Sequence, residues 1–215
     1  MANNVLNIIE FEGNEEEINK VMKTIIKDDG FDFNSIIPMP TSLLCESGSR
    51  TGLAINYVLK KFSEYTTVKS GYADISSIRI NGLQKDEDLE KRRRSHGYKN
   101  EKSLIEDGIQ YISNIVKYGY PTWYEWSIKN WGTKWNAYNR GVHDNIIDFE
   151  TAWCAPHCLI VKMSEMFPEI IIHHKWADEN LGENCGYIVY KNGVILEEGQ
   201  DPEYGYEFAK ELWGE

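Results

Sequence analysis

Val5-Leu6-Asn7-Ile8-Ile9-Glu10-Phe11-Glu12 is the stretch on which the fold turns. Its β-branched and aromatic residues predict a strand apolar enough to lie in the middle of a sheet. Gly13 ends it. Asn14 is a good helix N-cap, Glu17 stands where a capping box would close, and Glu15 to Glu17 suit the positive end of a helix. Ile18, Val21, Met22, Ile25 and Ile26 follow the spacing of one buried helical stripe, which Asp28-Asp29-Gly30 stops. Phe31 to Ile37 predicts a second extended run, closed by Pro38-Met39-Pro40 because neither proline can donate a backbone hydrogen bond. The first forty residues therefore predict β-α-β.

The C-terminal third carries a matching pattern. Ile146 to Trp153 alternates like a strand, and Pro156 suits the first turn of a helix with Leu159, Ile160, Met163 and Phe167 on one side. Pro168 ends that helix, and Glu169 to Trp176 predicts another strand. Gly186 to Tyr190, Asn192-Gly193 and Val194 to Leu196 form a hairpin signal, since Asn-Gly adopts the positive φ angles of a type I′ turn. Tyr206 to Trp213 predicts a terminal helix. The two parts together give an α+β fold: a ferredoxin-like antiparallel sheet with helices on one face. The expected organisation is one domain, with residues 1–40 and 144–215 forming the sheet and 41–143 a mostly helical central insertion. Within the insertion Ala54, Val58 and Phe62 mark one helix, and Leu104, Ile105, Ile109, Ile112 and Val116 another.

The chain of 215 residues is 41% hydrophobic and 13% aromatic, enough to build a core. Its start lacks the basic region of a signal peptide, and no apolar run is long enough to span a membrane. A soluble protein of the cytoplasm is the expectation, with Cys45, Cys154, Cys158 and Cys185 reduced. Residues 144–215 set four basic against fifteen acidic residues and carry the whole net charge of −11. A field of that sign repels phosphates and favours a basic protein surface.

Three groups are candidates for chemistry. Residues 123–135 hold four of the seven tryptophans, and helical spacing would put Trp123, Trp126 and Asn130 on one side and Trp131 and Trp135 one turn apart. Such indoles pin an insertion to a sheet when buried and anchor a partner when exposed, with Lys134 able to lie over a ring. Cys154-Ala155-Pro156-His157-Cys158, His173, His174 and Cys185 contain soft ligands but only one short knuckle, and adjacent strand histidines face opposite ways. A nucleophilic Cys154 or Cys158 activated by His157 is the enzymatic alternative there. Lys91-Arg92-Arg93-Arg94 follows Asp86-Glu87-Asp88 and Glu90, a pattern of a solvated helix face or of a phosphate-contacting patch. No glycine-rich phosphate loop or His-Glu-x-x-His string occurs, so no cofactor, metal or catalytic residue is assigned.

Phe33-Asn34-Ser35-Ile36-Ile37-Pro38-Met39-Pro40, the string Asn130-Trp131-Gly132-Thr133-Lys134-Trp135, Thr151-Ala152-Trp153 with Pro156, and Phe167-Pro168 occur in the order seen in another group of proteins. With these landmarks the chain resembles the YubB-like ferredoxin-fold proteins of bacteriophages and plasmids. It departs from them at Cys154-Ala155-Pro156, where that family tends to have two adjacent prolines. The resemblance implies a ferredoxin-like sheet and a mobile-element origin, and it carries over no catalytic residue. The tryptophans are expected mainly to dock the insertion on the sheet. The expected function is that of a non-enzymatic accessory protein binding a host macromolecule. Trp126, Trp131, Lys134 and Trp135 are the candidate binding residues, and residues 144–215 are expected to meet a basic host protein. Nucleic-acid or nucleotide binding through the basic run 91–102, which holds Arg92, Arg93 and Arg94, and through exposed aromatics is the alternative, and a small Cys/His zinc protein or enzyme is a second one.

Overall fold

The structure is a computed structural model describing residues 2–27, 30–62, 86–199 and 204–214. In chain order its elements are β1 (Asn4–Glu12), α1 (Glu15–Ile25), β2 (Ile26–Lys27), β3 (Gly30–Phe31), α2 (Ser49–Phe62), α3 (Asp86–Ser95), α4 (Glu101–Tyr118) and α5 (Trp123–Asn130). Then come β4 (Tyr138–His143), β5 (Ile146–Ala152), α6 (His157–Met166), β6 (Ile171–Asp178), β7 (Gly186–Lys191), β8 (Val194–Gly199) and α7 (Gly205–Trp213). They form two compact units, Met1–Pro38 with Ser127–Glu215, and Met39–Trp126.

The first unit is built on a six-stranded sheet in the order β4-β5-β1-β6-β7-β8. All its pairings are antiparallel, and β1 lies between β5 and β6, with Ile9 opposite Ile147 on one side and His174 on the other. The two-residue period of β1 buries Val5, Asn7, Ile9 and Phe11. Taken in chain order, β1, α1, β4, β5, α6 and β6 make the β-α-β-β-α-β unit of a ferredoxin-like fold, and β7 and β8 extend it. The fold is α+β and ferredoxin-like. Asn192 and Gly193 both have positive φ at the β7–β8 turn, as the Asn-Gly signal requires.

The core of this unit is aromatic at one end. Phe31 meets Phe33 and Phe149 edge to face at centroid separations of 5.2 and 5.1 Å, and Phe33 meets Trp131 at 5.7 Å. Val21 and Ile25 of α1 and Leu159, Ile160 and Met163 of α6 complete it. The Asn14 side chain accepts from the Glu17 amide at 2.9 Å, which fixes the start of α1.

One expected strand is absent. Phe31 to Ile37 is extended only at its start, and Phe33–Ser35 is a short 3₁₀ turn. The reason lies in competing side chains: Asp32 accepts from the Asn34 amide at 3.0 Å, and Asn136 accepts from the Phe33 amide at 2.9 Å. These bonds replace a sheet ladder. The ferredoxin partner strand comes instead from Tyr138–His143, about a hundred residues later.

The second unit centres on α2 and α4. Leu53, Ala54, Ile55, Tyr57, Tyr98, Leu104 and Tyr111 form its core. A Cβ on Gly108 would stand 2.5 Å from the Ala54 carbonyl oxygen, so α4 crosses α2 at its only side-chain-free position. That close crossing selects the face Leu104, Gly108, Tyr111 and Asn114 as the buried one. Ile109 and Val116, expected in the stripe, are exposed. Asn100 caps the start of α4 and Gly119 ends it with φ +84°. Among the described residues no helix is long and apolar enough to cross a membrane. The Asp28-Asp29 stop lies outside the described residues.

Candidate binding surface

The tryptophan stretch is not one helix. Helix α5 ends at Asn130, and Gly132 takes φ +82°, a left-handed turn that reverses the chain. Trp131 and Trp135 therefore separate. Trp131 is buried, 4% exposed, and its indole N–H donates to the Ile37 carbonyl at 2.9 Å. Trp135 is 42% exposed. Trp126 is buried as well.

The reversal folds the chain back on the end of β5. The Thr133 hydroxyl donates to the Ala152 carbonyl at 2.8 Å, and a Cβ on Gly132 would meet the Cys158 Sγ at 3.2 Å. Ser127 Oγ donates to the Lys134 carbonyl at 2.8 Å. This places the Lys134 ammonium between two indoles, 4.4 Å from the Trp135 ring centre and 4.8 Å from that of Trp153. Tyr138 backs Trp135 edge to face at 6.4 Å and donates its hydroxyl to Asn4 Oδ1 at 2.8 Å. Burial pushes the Tyr138 phenol up to about 12.

Trp153 has a feature that spacing could not supply: its φ is +70°, while its side chain is 40% exposed. A bulky L-residue in that region carries backbone strain of about 1–3 kcal/mol. Fixed neighbours hold it there. The Trp153 amide donates to the Asn3 carbonyl at 2.9 Å, and its own carbonyl accepts from Asn184 Nδ2 at 3.1 Å. The Thr151 hydroxyl donates to the Cys154 carbonyl at 2.9 Å. Of the residues expected to bind, Lys134 and Trp135 stand here together, joined by Trp153. Its sequence signals were its place at the end of an alternating strand and in the Thr151-Ala152-Trp153 landmark of the resemblance, neither of which predicts its exposure beside Lys134.

The basic run lies on α3, in the other unit. Arg93 is buried and donates to the Tyr98 carbonyl at 2.9 Å. Arg92 and Arg94 have partners too.

The cysteine and histidine residues are dispersed. Cys154 is exposed, whereas Cys185 is buried beside Ala177 and Ala209 and donates to the Gly205 carbonyl. Cys158 donates to the Asn130 carbonyl at 3.3 Å, and desolvation pushes its thiol up rather than towards thiolate. His173 reaches Glu12 at 2.8 Å on the exposed side. His174 points the other way and is fully buried. The Asn7 amide donates to the Val5 carbonyl and to Thr151 Oγ1, both at 2.9 Å, which leaves Asn7 Oδ1 to accept from His174 Nε2 at 3.0 Å. His174 Nδ1 has no partner. Its ring faces His157 and Trp176 at 5.5 and 5.2 Å, and the Tyr190 hydroxyl lies 3.3 Å from His157 Nδ1. Burial holds both imidazoles below the usual histidine range, His174 well below it, with His157 adding to the effect at His174.

Comparison with known proteins adds to the fold. Residues 130–213 match the family model described as a ferredoxin-like domain in Api92-like protein. No curated protein matches the chain. Among solved structures, the crystal structure of a protein Api92 from Yersinia pseudotuberculosis is 13% identical, with a TM-score of 0.47, over 94% of this chain and 98% of that one. Over residues 130–213, which hold Lys134, Trp135, Trp153 and five of the six strands, this chain is similar to the ferredoxin-like domain of Api92-like proteins.

Proposed function

We propose that this protein is a non-enzymatic accessory protein that binds a macromolecular partner through the Trp135–Lys134–Trp153 surface. The observation that carries this reading is Trp153, held in a strained backbone conformation with its indole in solvent. Strain kept where burial does not repay it suggests a side chain positioned for an external contact. Exposed tryptophans are the residues that most often dominate protein interfaces. The partner is a host protein with a basic surface, matched to the acidic C-terminal third. In the setting implied by the YubB-like resemblance, the protein derives from a phage, prophage or plasmid. It acts in the bacterial cytoplasm, in counter-defence or host takeover.

The test is quantitative capture from host lysate by the wild-type protein and by Trp135→Ala/Trp153→Ala, with mass spectrometry of what is retained. A protein retained by the wild type and lost by a folded double variant supports the reading; equal retention overturns it. A second reading rests on the lysine between two indoles, a geometry that also suits a stacked base with its phosphate near the ammonium. Quenching of tryptophan emission by single-stranded DNA at low salt, lost in the double variant, would favour that reading.

A further inference from the structure

The two edges of the sheet differ. On β4 the edge strand is Tyr138-Asn139-Arg140-Gly141-Val142-His143, mostly polar and flanked by β3, where Arg140 lies against Gly30 and donates to the Phe31 carbonyl. On β8 it is Val194-Ile195-Leu196-Glu197-Glu198-Gly199, where the three apolar side chains are 59%, 47% and 55% exposed. Among the described residues strand β8 pairs only with β7. Its outer backbone donors and acceptors face away from the sheet, the arrangement that accepts an added strand. A single irregularity at Leu196, between the Tyr190–Ile195 and Val189–Glu197 pairs, bends the edge and favours a short added segment.

We propose that β8 is a strand-addition site for an extended segment of a protein partner in which basic and apolar residues alternate. Charge selects the occupant. Glu197 and Glu198 are exposed on this edge, within a region whose acidic residues outnumber its basic ones by eleven. Glu197 and Glu198 pair with Val189 and Ile188 and so face opposite ways. A lysine- or arginine-bearing strand with its cations on the Glu198 side meets that carboxylate while its apolar residues cover Val194 on the other. A second copy of this chain fits less well. Its β8 brings the same two carboxylates and no cation to the edge, so the pairing leaves Glu197 and Glu198 of both copies without an opposite charge. The site is separate from the tryptophan surface and does not rest on that assignment.

The experiment uses the full chain with a fluorescein-labelled peptide of alternating lysine and valine, its glutamate–valine counterpart, and the lysine peptide N-methylated at every residue. Anisotropy is expected to show binding of the lysine peptide that weakens with salt, with hydrogen-exchange protection appearing on the amides of residues 194–198. Glu197→Lys/Glu198→Lys should weaken it by roughly tenfold or more. The N-methylated peptide, which has no backbone donor on either edge, should bind as weakly as the glutamate peptide. Equal binding of the N-methylated peptide, or protection elsewhere than β8, would overturn strand addition. A concentration-dependent dimer that protects the same amides without peptide would show a second copy to be the occupant and overturn the proposed partner. Trp153→Ala should bind the lysine peptide as the wild type does, so failure of the tryptophan surface and failure of β8 remain distinguishable.

Discussion

Trp131 and Trp135 are four residues apart and have opposite fates. Trp131 fills a slot beside Phe33 and satisfies its N–H on the Ile37 carbonyl; Trp135 stands near half exposure with a lysine across its face. The same residue type serves the interior on one side of Gly132 and the surface on the other. What separates them is one backbone reversal and the hydrogen bond from Thr133 to Ala152. An indole count is therefore no guide to binding until the backbone between the indoles is known.

The widest contrast should appear in stability. Trp131→Ala removes a buried indole and leaves the Ile37 carbonyl without its donor, a change expected to cost about 3–5 kcal/mol. Trp135→Ala removes a side chain already in contact with water and should cost less than about 1 kcal/mol. Denaturant midpoints of the two variants, at constant m-value, measure the difference. Similar losses would mean that Trp135 belongs to the core.

Acid should act on the interior and spare the surface. His174 and His157 are held neutral by burial, so the folded state binds their protons less readily than the unfolded chain. Their folded values lie below the unfolded value near 6.5, so stability is at its full level above that pH and falls as pH drops towards the folded values. The slope for one proton reaches at most about 1.4 kcal/mol per pH unit, and His174, held well below the usual range, is expected to contribute most of the loss as pH falls below 6.5. Replacing His174 by Gln, which can still donate to Asn7, should flatten the curve. An unchanged slope would show that the buried imidazole titrates normally.

Much of the sheet was legible in the sequence, because alternation in β1, β5 and β6 and the Asn-Gly turn are local signals. The ferredoxin partner strand was not. Tyr138–His143 has a glycine and no clear alternation, and Asp32 with Asn136 diverts the segment that looked like a strand. The buried face of α4 was legible in part: Leu104, Ile105 and Ile112 pack in the core as their spacing predicts, whereas Ile109 and Val116 are turned out because the Gly108 contact sets the face. Lys134 and Trp135 were legible as candidates from the clustering of tryptophans around a lysine in the Asn130–Trp135 string. Trp153 joined them through tertiary bonds from Asn3 and Asn184, which no local pattern encodes.

The smallest effect is the most specific test of the surface. At Trp153, glycine accepts φ +70° without a Cβ penalty, whereas alanine keeps that penalty and loses the same contacts with Lys134. Trp153→Gly should therefore be more stable than Trp153→Ala by about 1 kcal/mol, a reversal of the usual ranking of these two residues. Both should lose any partner held by the indole. If alanine proves the more stable, the left-handed conformation is not enforced. Trp153 is then an ordinary exposed side chain, and the contrast with Trp131 reduces to burial alone.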